Sequence, residues 1–184
     1  LLNKDNNPEL SALEPSDLKV IAKYGTSEMQ YQLAVQIENE HRYSVFEAAH
    51  DLPVMLLKSA AEANHRDAQI LLGDHYRGVN YKAALKWYRA AENNRHPDAH
   101  KKIVLCQLRY GTLTADNIEW FEQQFIQGDI RVGMWLGDYY SRKKKWDEAV
   151  EWYSKVYESA HTDSLKARAQ RSIESVHSLR ESDQ

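Results

Sequence analysis

One block of sequence occurs twice. Asp67-Ala68-Gln69-Ile70-Leu71-Leu72-Gly73-Asp74-His75-Tyr76, followed by Ala84-Leu85-Lys86-Trp87-Tyr88, returns as Arg131-Val132-Gly133-Met134-Trp135-Leu136-Gly137-Asp138-Tyr139-Tyr140, followed by Ala149-Val150-Glu151-Trp152-Tyr153. The shared pattern is Leu-Gly-Asp-x-Tyr, then Ala-aliphatic-x-Trp-Tyr, with one residue added to the intervening turn the second time. An internal repeat of this size constrains the architecture more than any other feature. It predicts paired helices that bury their apolar faces against neighbouring pairs, an all-α right-handed solenoid, and so a binding surface in place of a catalytic cleft.

The rest of the composition agrees with long helices and tight turns. Only 7 Gly and 4 Pro punctuate 184 residues, and 42% of the residues are hydrophobic. No apolar run approaches the roughly 18–20 residues that span a bilayer, so no integral membrane segment is expected. A net charge of −3 lacks the basic excess of a nucleic-acid binder. The single cysteine, Cys106, excludes an intrachain disulfide and leaves the redox compartment open. The sequence starts at Leu1 without an initiator Met, which reads as a processed or trimmed chain.

Along the chain, residues 1–15 read as a polar, flexible lead-in and 16–184 as one helical-repeat domain. Ser16 is placed to cap a short helix that Gly25 ends. Ser27 with Gln30 then has the spacing of a capping box for the next helix. Residues 41–50 carry no clear pattern, and Pro53 suits a helix start. About four helix pairs are expected, over approximately 27–63, 64–95, 96–127 and 128–160, with a capping helix over 163–180. The triplet Ala60-Ala61-Glu62 returns as Ala90-Ala91-Glu92. In the second repeat helix A runs from about Asp67 to Tyr76, Gly78 breaks the chain, and helix B runs from about Tyr81 to Glu92. In the third, Pro97 opens helix A, Gly111 closes it, and Thr114 caps a helix B that Gly128 ends.

Position by position the repeat has a physical reading. A mid-helix Gly costs about 1 kcal/mol against Ala, so Gly73 and Gly137 are expected where a Cβ would clash with the crossing helix. Leu72 and Tyr76 form one ridge that packs on Ala84, Leu85 and Tyr88. Trp87 and Trp152 fill the space toward the neighbouring repeat.

These residues resemble the Sel1-like repeat, a relative of the tetratricopeptide repeat. The second repeat supplies Ala68, Leu72, Gly73, Tyr76, Gly78, Ala84, Trp87, Ala90, Ala91 and Glu92 of that pattern. The fourth supplies Leu136, Gly137, Tyr140, Ala149 and Trp152, with Val132 in place of the first Ala. The first keeps Leu33, Ala60, Ala61 and Glu62, and the third departs from the pattern. The resemblance implies a non-catalytic scaffold or adaptor that binds a protein or peptide on the concave face lined by the A helices. It also implies a bacterial periplasmic or secreted setting. A subgroup linked to β-lactam binding has paired cysteines in each repeat, and the lone Cys106 places this chain outside it.

On that reading the candidate binding residues are those of the A helices outside the Leu-Gly-Tyr stripe. They are Asp67, Ile70, Leu71, Asp74 and Arg77, then Arg131, Met134, Trp135, Asp138 and Arg142. Glu28, Tyr31, Gln32, Val35 and Glu38 are their counterparts in the first repeat. Trp and Arg are enriched at binding hot spots and Met adapts to varied partners. Trp135 instead packs on the third repeat if its ring turns inward, and Asp74 and Asp138 read equally as solvated helix charges. Arg142-Lys143-Lys144-Lys145 forms a basic turn, either solvated or touching an anionic partner or membrane surface.

No motif calls for a cofactor. His96 and His100 are four apart, but Pro97 between them starts the helix and leaves His96 outside it, so no metal pair is expected. No His-Glu-x-x-His, Gly-rich phosphate loop or nucleophile elbow is present. Cys106, within Ile103-Val104-Leu105-Cys106, reads as a buried thiol. Two other classes stay open. One is a module of an enzyme or envelope-assembly complex with a small-molecule ligand such as a cell-wall fragment. The other is a nucleic-acid-binding helical repeat.

Overall fold

The computed structural model describes residues 15–39 and 52–183. The expected lead-in and the patternless stretch at 41–50 fall almost wholly outside these. The described residues form helices α1 (Pro15–Tyr24), α2 (Ser27–Asn39), α3 (Leu52–Glu62), α4 (Arg66–Tyr76), α5 (Tyr81–Asn93), α6 (Ala99–Tyr110), α7 (Ala115–Ile126), α8 (Arg131–Arg142), α9 (Trp146–Ser159) and α10 (Asp163–Ser182), and no strand. Two compact units result, Leu1–Cys106 and Gln107–Gln184. Within each, successive helices pack on one another: α2 to α5 in the first and α7 to α10 in the second. The fold is all-α, with the neighbour-on-neighbour packing of a helical solenoid.

Two sequence devices build the helix ends. The first is a left-handed residue that closes a helix. Asn64 (φ 65°), Arg95 (φ 59°), Gly111 (φ 68°), Gly128 (φ 103°) and Lys144 (φ 57°) take this role. In each case the following amide reaches back to the last turn, as His65 N does to Ala60 O (3.0 Å) and His96 N to Ala91 O (2.9 Å). This is where Ala-Ala-Glu recurs. Ala60, Ala61 and Ala91 are 0–1% exposed and let the chain turn close to the next helix. Gly78, expected to break the chain, has open space where a Cβ would stand and no positive φ. The break there belongs to Asn80, whose side chain accepts from Ala83 N at 3.1 Å and starts α5.

The second device is a histidine latch in the N-terminal unit. His65 Nδ1 accepts from Ala68 N (3.2 Å), capping α4, and its Nε2 lies 2.8 Å from Glu28 of α2 while the ring stacks on Tyr31. His96 repeats the arrangement: its Nδ1 accepts from Asp98 N (3.1 Å) and its Nε2 lies 3.0 Å from Asp67 of α4. An Nδ1 that accepts an amide leaves the proton on Nε2, facing the carboxylate. Hydrogen bonds from Gln32 and then from His65 hold the Glu28 carboxyl below its ordinary range.

Three expected helix starts shift. Thr26, not Ser27, caps α2 through Met29 N at 3.2 Å, because its hydroxyl stands the required three residues ahead of that amide. α1 begins at Pro15, so Ser16 lies inside it. α6 begins at Ala99, leaving Pro97 in the preceding turn. Thr114 caps α7 as expected, in a reciprocal box with Asn117.

The core of the N-terminal unit gathers Leu33, Ala34, Ile37, Leu56, Leu57, Ala68 and Leu72 around Trp87, which is 9% exposed. In the C-terminal unit Met134, Ala149, Tyr153, Val156, Ala169 and Val176 pack together, and Trp152 meets Phe125 edge to face at 5.6 Å. Gln69 is buried but satisfied: it donates to Ala61 O (3.0 Å) and accepts from Asn94 (2.9 Å), tying α3, α4 and the end of α5.

Candidate functional site

The repeated glycine is a seat for a tyrosine ring. A Cβ on Gly73 would stand 2.4 Å from Tyr88 Cε1, and one on Gly137 would stand 2.4 Å from Tyr153 Cε1. The ring lies flat on the bare backbone and carries its hydroxyl to the next residue of the motif. Tyr88 donates to Asp74 Oδ1 at 2.8 Å, and Tyr153 donates to Asp138 Oδ1 at 2.6 Å. Gly, Asp and the second Tyr of Trp-Tyr therefore recur as one structural device. Burial, then the hydrogen bond and charge of the aspartate, push both phenols well above the ordinary tyrosine range. Asp74 is half-buried and paired, which corrects the solvated reading there, while Asp138 remains an exposed helix charge that accepts the Tyr153 hydroxyl.

The two copies differ in what else meets the carboxylate. In the N-terminal unit Lys102 of α6 reaches Asp74 with Nζ at 2.9 and 2.7 Å from its two oxygens. In the C-terminal unit Asp138 borders an open cleft between α8 and α10 with a volume of about 430 Å³. Asp138, Ser141 and Arg142 come from α8, Tyr153 from α9, and Ser172, Ser175 and Val176 from α10. Arg142 does not point its charge freely. Its guanidinium donates to Leu108 O and Arg109 O, both at 3.1 Å, and to Asp138 O at 3.3 Å. It thus covers the carbonyls at the end of α6, where a cation is favoured.

The structure distributes the expected site residues among different roles. Asp138 and Arg142 line the cleft. Met134 is 2% exposed within the C-terminal core and Ile70 is 7% exposed, so neither offers a surface. Each sits on the helix side that faces a neighbour, and the apolar stripe is wider than the Leu-Gly-Tyr pattern indicates. Leu71 is half-buried against the N-terminal core. Trp135 is half-buried and meets Phe121 of α7 edge to face at 6.3 Å, the inward packing of the two orientations considered. Asp67 belongs to the His96 latch, and Arg131 pairs with Asp129 at 3.0 Å. Arg77 is exposed at the end of α4. Of the first-repeat counterparts, Glu28, Tyr31 and Gln32 join the His65 latch, while Val35 and Glu38 are half-buried.

The basic turn is internally engaged. Lys144 pairs with Asp183 (2.6 Å), Lys145 pairs with Glu148 (3.0 Å), and Lys143 lies over the Tyr139 ring at 6.0 Å. His96 and His100 go to different carboxylates, Asp67 and Glu92. Among the described residues no three His, Cys, Asp or Glu side chains are grouped to hold a metal ion, and no helix is long and apolar enough to cross a membrane. Cys106 is fully buried.

Sequence reasoning missed Tyr153, Ser172 and Ser175. The signal for Tyr153 was present in the joint recurrence of Asp and Tyr at matched offsets. The serines had none, because α10 carries no recognisable copy of the motif. No family model, no curated protein and no solved structure matches the chain.

Proposed function

We propose that this protein is a non-catalytic helical-repeat binding module of the Sel1-like kind, and that a peptide segment of a protein partner binds in the α8–α10 cleft. The observation that carries the reading is the cleft itself. It is lined by Asp138, Ser141 and Arg142 of α8, the helix that bears the repeat motif, by Tyr153 of α9, and by Ser172 and Ser175 of α10. Pockets of about 300–1,000 Å³ suit a small ligand or a short segment and not a folded domain. Polar side chains spaced along two helices match an extended backbone with its alternating donors and acceptors. The mixed charges of the cleft favour a peptide over a nucleic-acid backbone, which calls for a basic track.

The test is a random peptide display library panned on the wild type and on Ser172→Trp, whose indole fills the cleft in place of a half-buried hydroxyl that hydrogen-bonds Tyr153. Peptides retained by the wild type and lost by a folded Ser172→Trp support the reading. Peptides retained equally by both, or none retained by either, contradict it.

A further inference from the structure

The internal repeat shows what a carboxylate in this setting takes. Asp74 and Asp138 stand at matching places after the motif glycine, and each accepts a tyrosine hydroxyl on Oδ1. In the N-terminal unit the next A-type helix supplies a lysine, and Lys102 Nζ sits against both carboxylate oxygens. When buried Ile103 of α6 is matched with buried Ala169 of α10, the place of Lys102 falls to Arg168. Arg168 acts electrostatically on Tyr153 but makes no ion pair with Asp138. Where the first copy holds an ammonium, the second holds an open cleft bordered by Asp138, Ser172 and Ser175.

We propose that this cleft is selective for a primary ammonium, the side chain of a lysine in the bound peptide, anchored on Asp138 as Lys102 is anchored on Asp74. The inference rests on the reading that the cleft takes a peptide. Three features favour it. The cleft opens beside the last turns of α8, the negative end of the helix dipole, although Arg142 Nε and the amides of Lys143, Lys144 and Lys145 hydrogen-bond its last carbonyls. Asp138 and Ser175 border the cleft with oxygens that can accept from the donors of an ammonium, while the Ser172 hydroxyl hydrogen-bonds Tyr153. A guanidinium prefers the free bidentate edge of a carboxylate, and Tyr153 already occupies Oδ1. The neighbouring cation Arg142 is spent on three backbone carbonyls.

The test uses a positional-scanning library of soluble decapeptides against three proteins: wild type, Asp138→Asn and Arg168→Lys. Asn still accepts from Tyr153, and circular dichroism with urea unfolding checks that each variant is folded. The expected wild-type result is one library position at which lysine binds at least tenfold better than norleucine or Nε-acetyl-lysine. That preference disappears in Asp138→Asn. Arg168→Lys restores the lysine of the N-terminal copy and weakens the lysine peptides severalfold. Binding without a lysine preference, but lost on Ser172→Trp, overturns the ammonium inference and leaves the peptide site standing. A lysine preference that survives Asp138→Asn also overturns it. No peptide binding at all overturns both.

Discussion

Adding one methyl group at Gly137 is expected to destabilise the C-terminal unit by about 2–4 kcal/mol. A Cβ there would lie 2.4, 2.6 and 2.8 Å from Cε1, Cδ1 and Cζ of Tyr153, where ordinary contact begins near 3.4 Å. The tyrosine is 3% exposed and its oxygen is fixed 2.6 Å from Asp138, so the ring cannot retreat and keep its hydrogen bond. Overpacking of this kind costs about 1–3 kcal/mol. Loss of a hydrogen bond to a charged acceptor costs about 1.5–3 kcal/mol. Against these, alanine gains about 1 kcal/mol of helix propensity over glycine. The assay is urea unfolding of Gly137→Ala beside Gly78→Ala, where a Cβ meets open space and the change is expected to be neutral or stabilising by up to about 1 kcal/mol. Tyr153→Phe in the Gly137→Ala background should cost less than Tyr153→Phe alone, because the bond it removes is already broken. If Gly137→Ala proves as harmless as Gly78→Ala, the idea that the motif glycine exists to seat the tyrosine is refuted.

Three further outcomes follow from the same geometry. Trp87→Ala should cost about 3–5 kcal/mol in urea unfolding, since the indole is 9% exposed amid α2, α3 and α4; a loss under 1 kcal/mol would contradict its place in the core. Arg95→Gly should stabilise by about 0.5–1 kcal/mol, because Arg95 holds a left-handed φ of 59° that glycine adopts without a Cβ clash; unchanged or lower stability would count against that account of the turn. The Glu28 carboxyl is held below its ordinary range by Gln32 and His65, so its stabilisation is present above pH 4.5 and fades as pH falls through its folded value. Glu28→Gln should therefore melt below the wild type at pH 7 and converge with it in acid; a gap that persists unchanged into strong acid would rule out the latch as the cause.

Helix pairs two and four were legible because several constraints agreed there. The Leu ridge, small Ala, bare Gly and large Trp all repeat, and each packs as its size demands. Helix ends were less legible. The left-handed closing role fell to Asn64, Arg95 and Lys144 as well as to glycine, since the backbone bonds of the motif tolerate a strained residue. Gly78 drew attention as a breaker but holds no special conformation. For the site, Asp138 and Arg142 were reachable from the A-helix pattern. Met134 and Ile70 were misplaced because a helix packed on two neighbours buries more than one stripe. Trp135 shows the same limit: sequence fixes that it leaves the Leu136 direction, while Phe121 decides where it goes. Ser172 and Ser175 are set by tertiary packing of α10 alone.

The most direct measurement is amide-resolved NMR of the ¹⁵N-labelled protein titrated with the best-binding library peptide. The account predicts that shift changes concentrate at Asp138–Arg142, Tyr153 and Ser172–Val176, and that they vanish in Ser172→Trp. Changes centred instead on α7 and the outer side of α9, or spread along the N-terminal helices with the cleft amides unmoved, would contradict it.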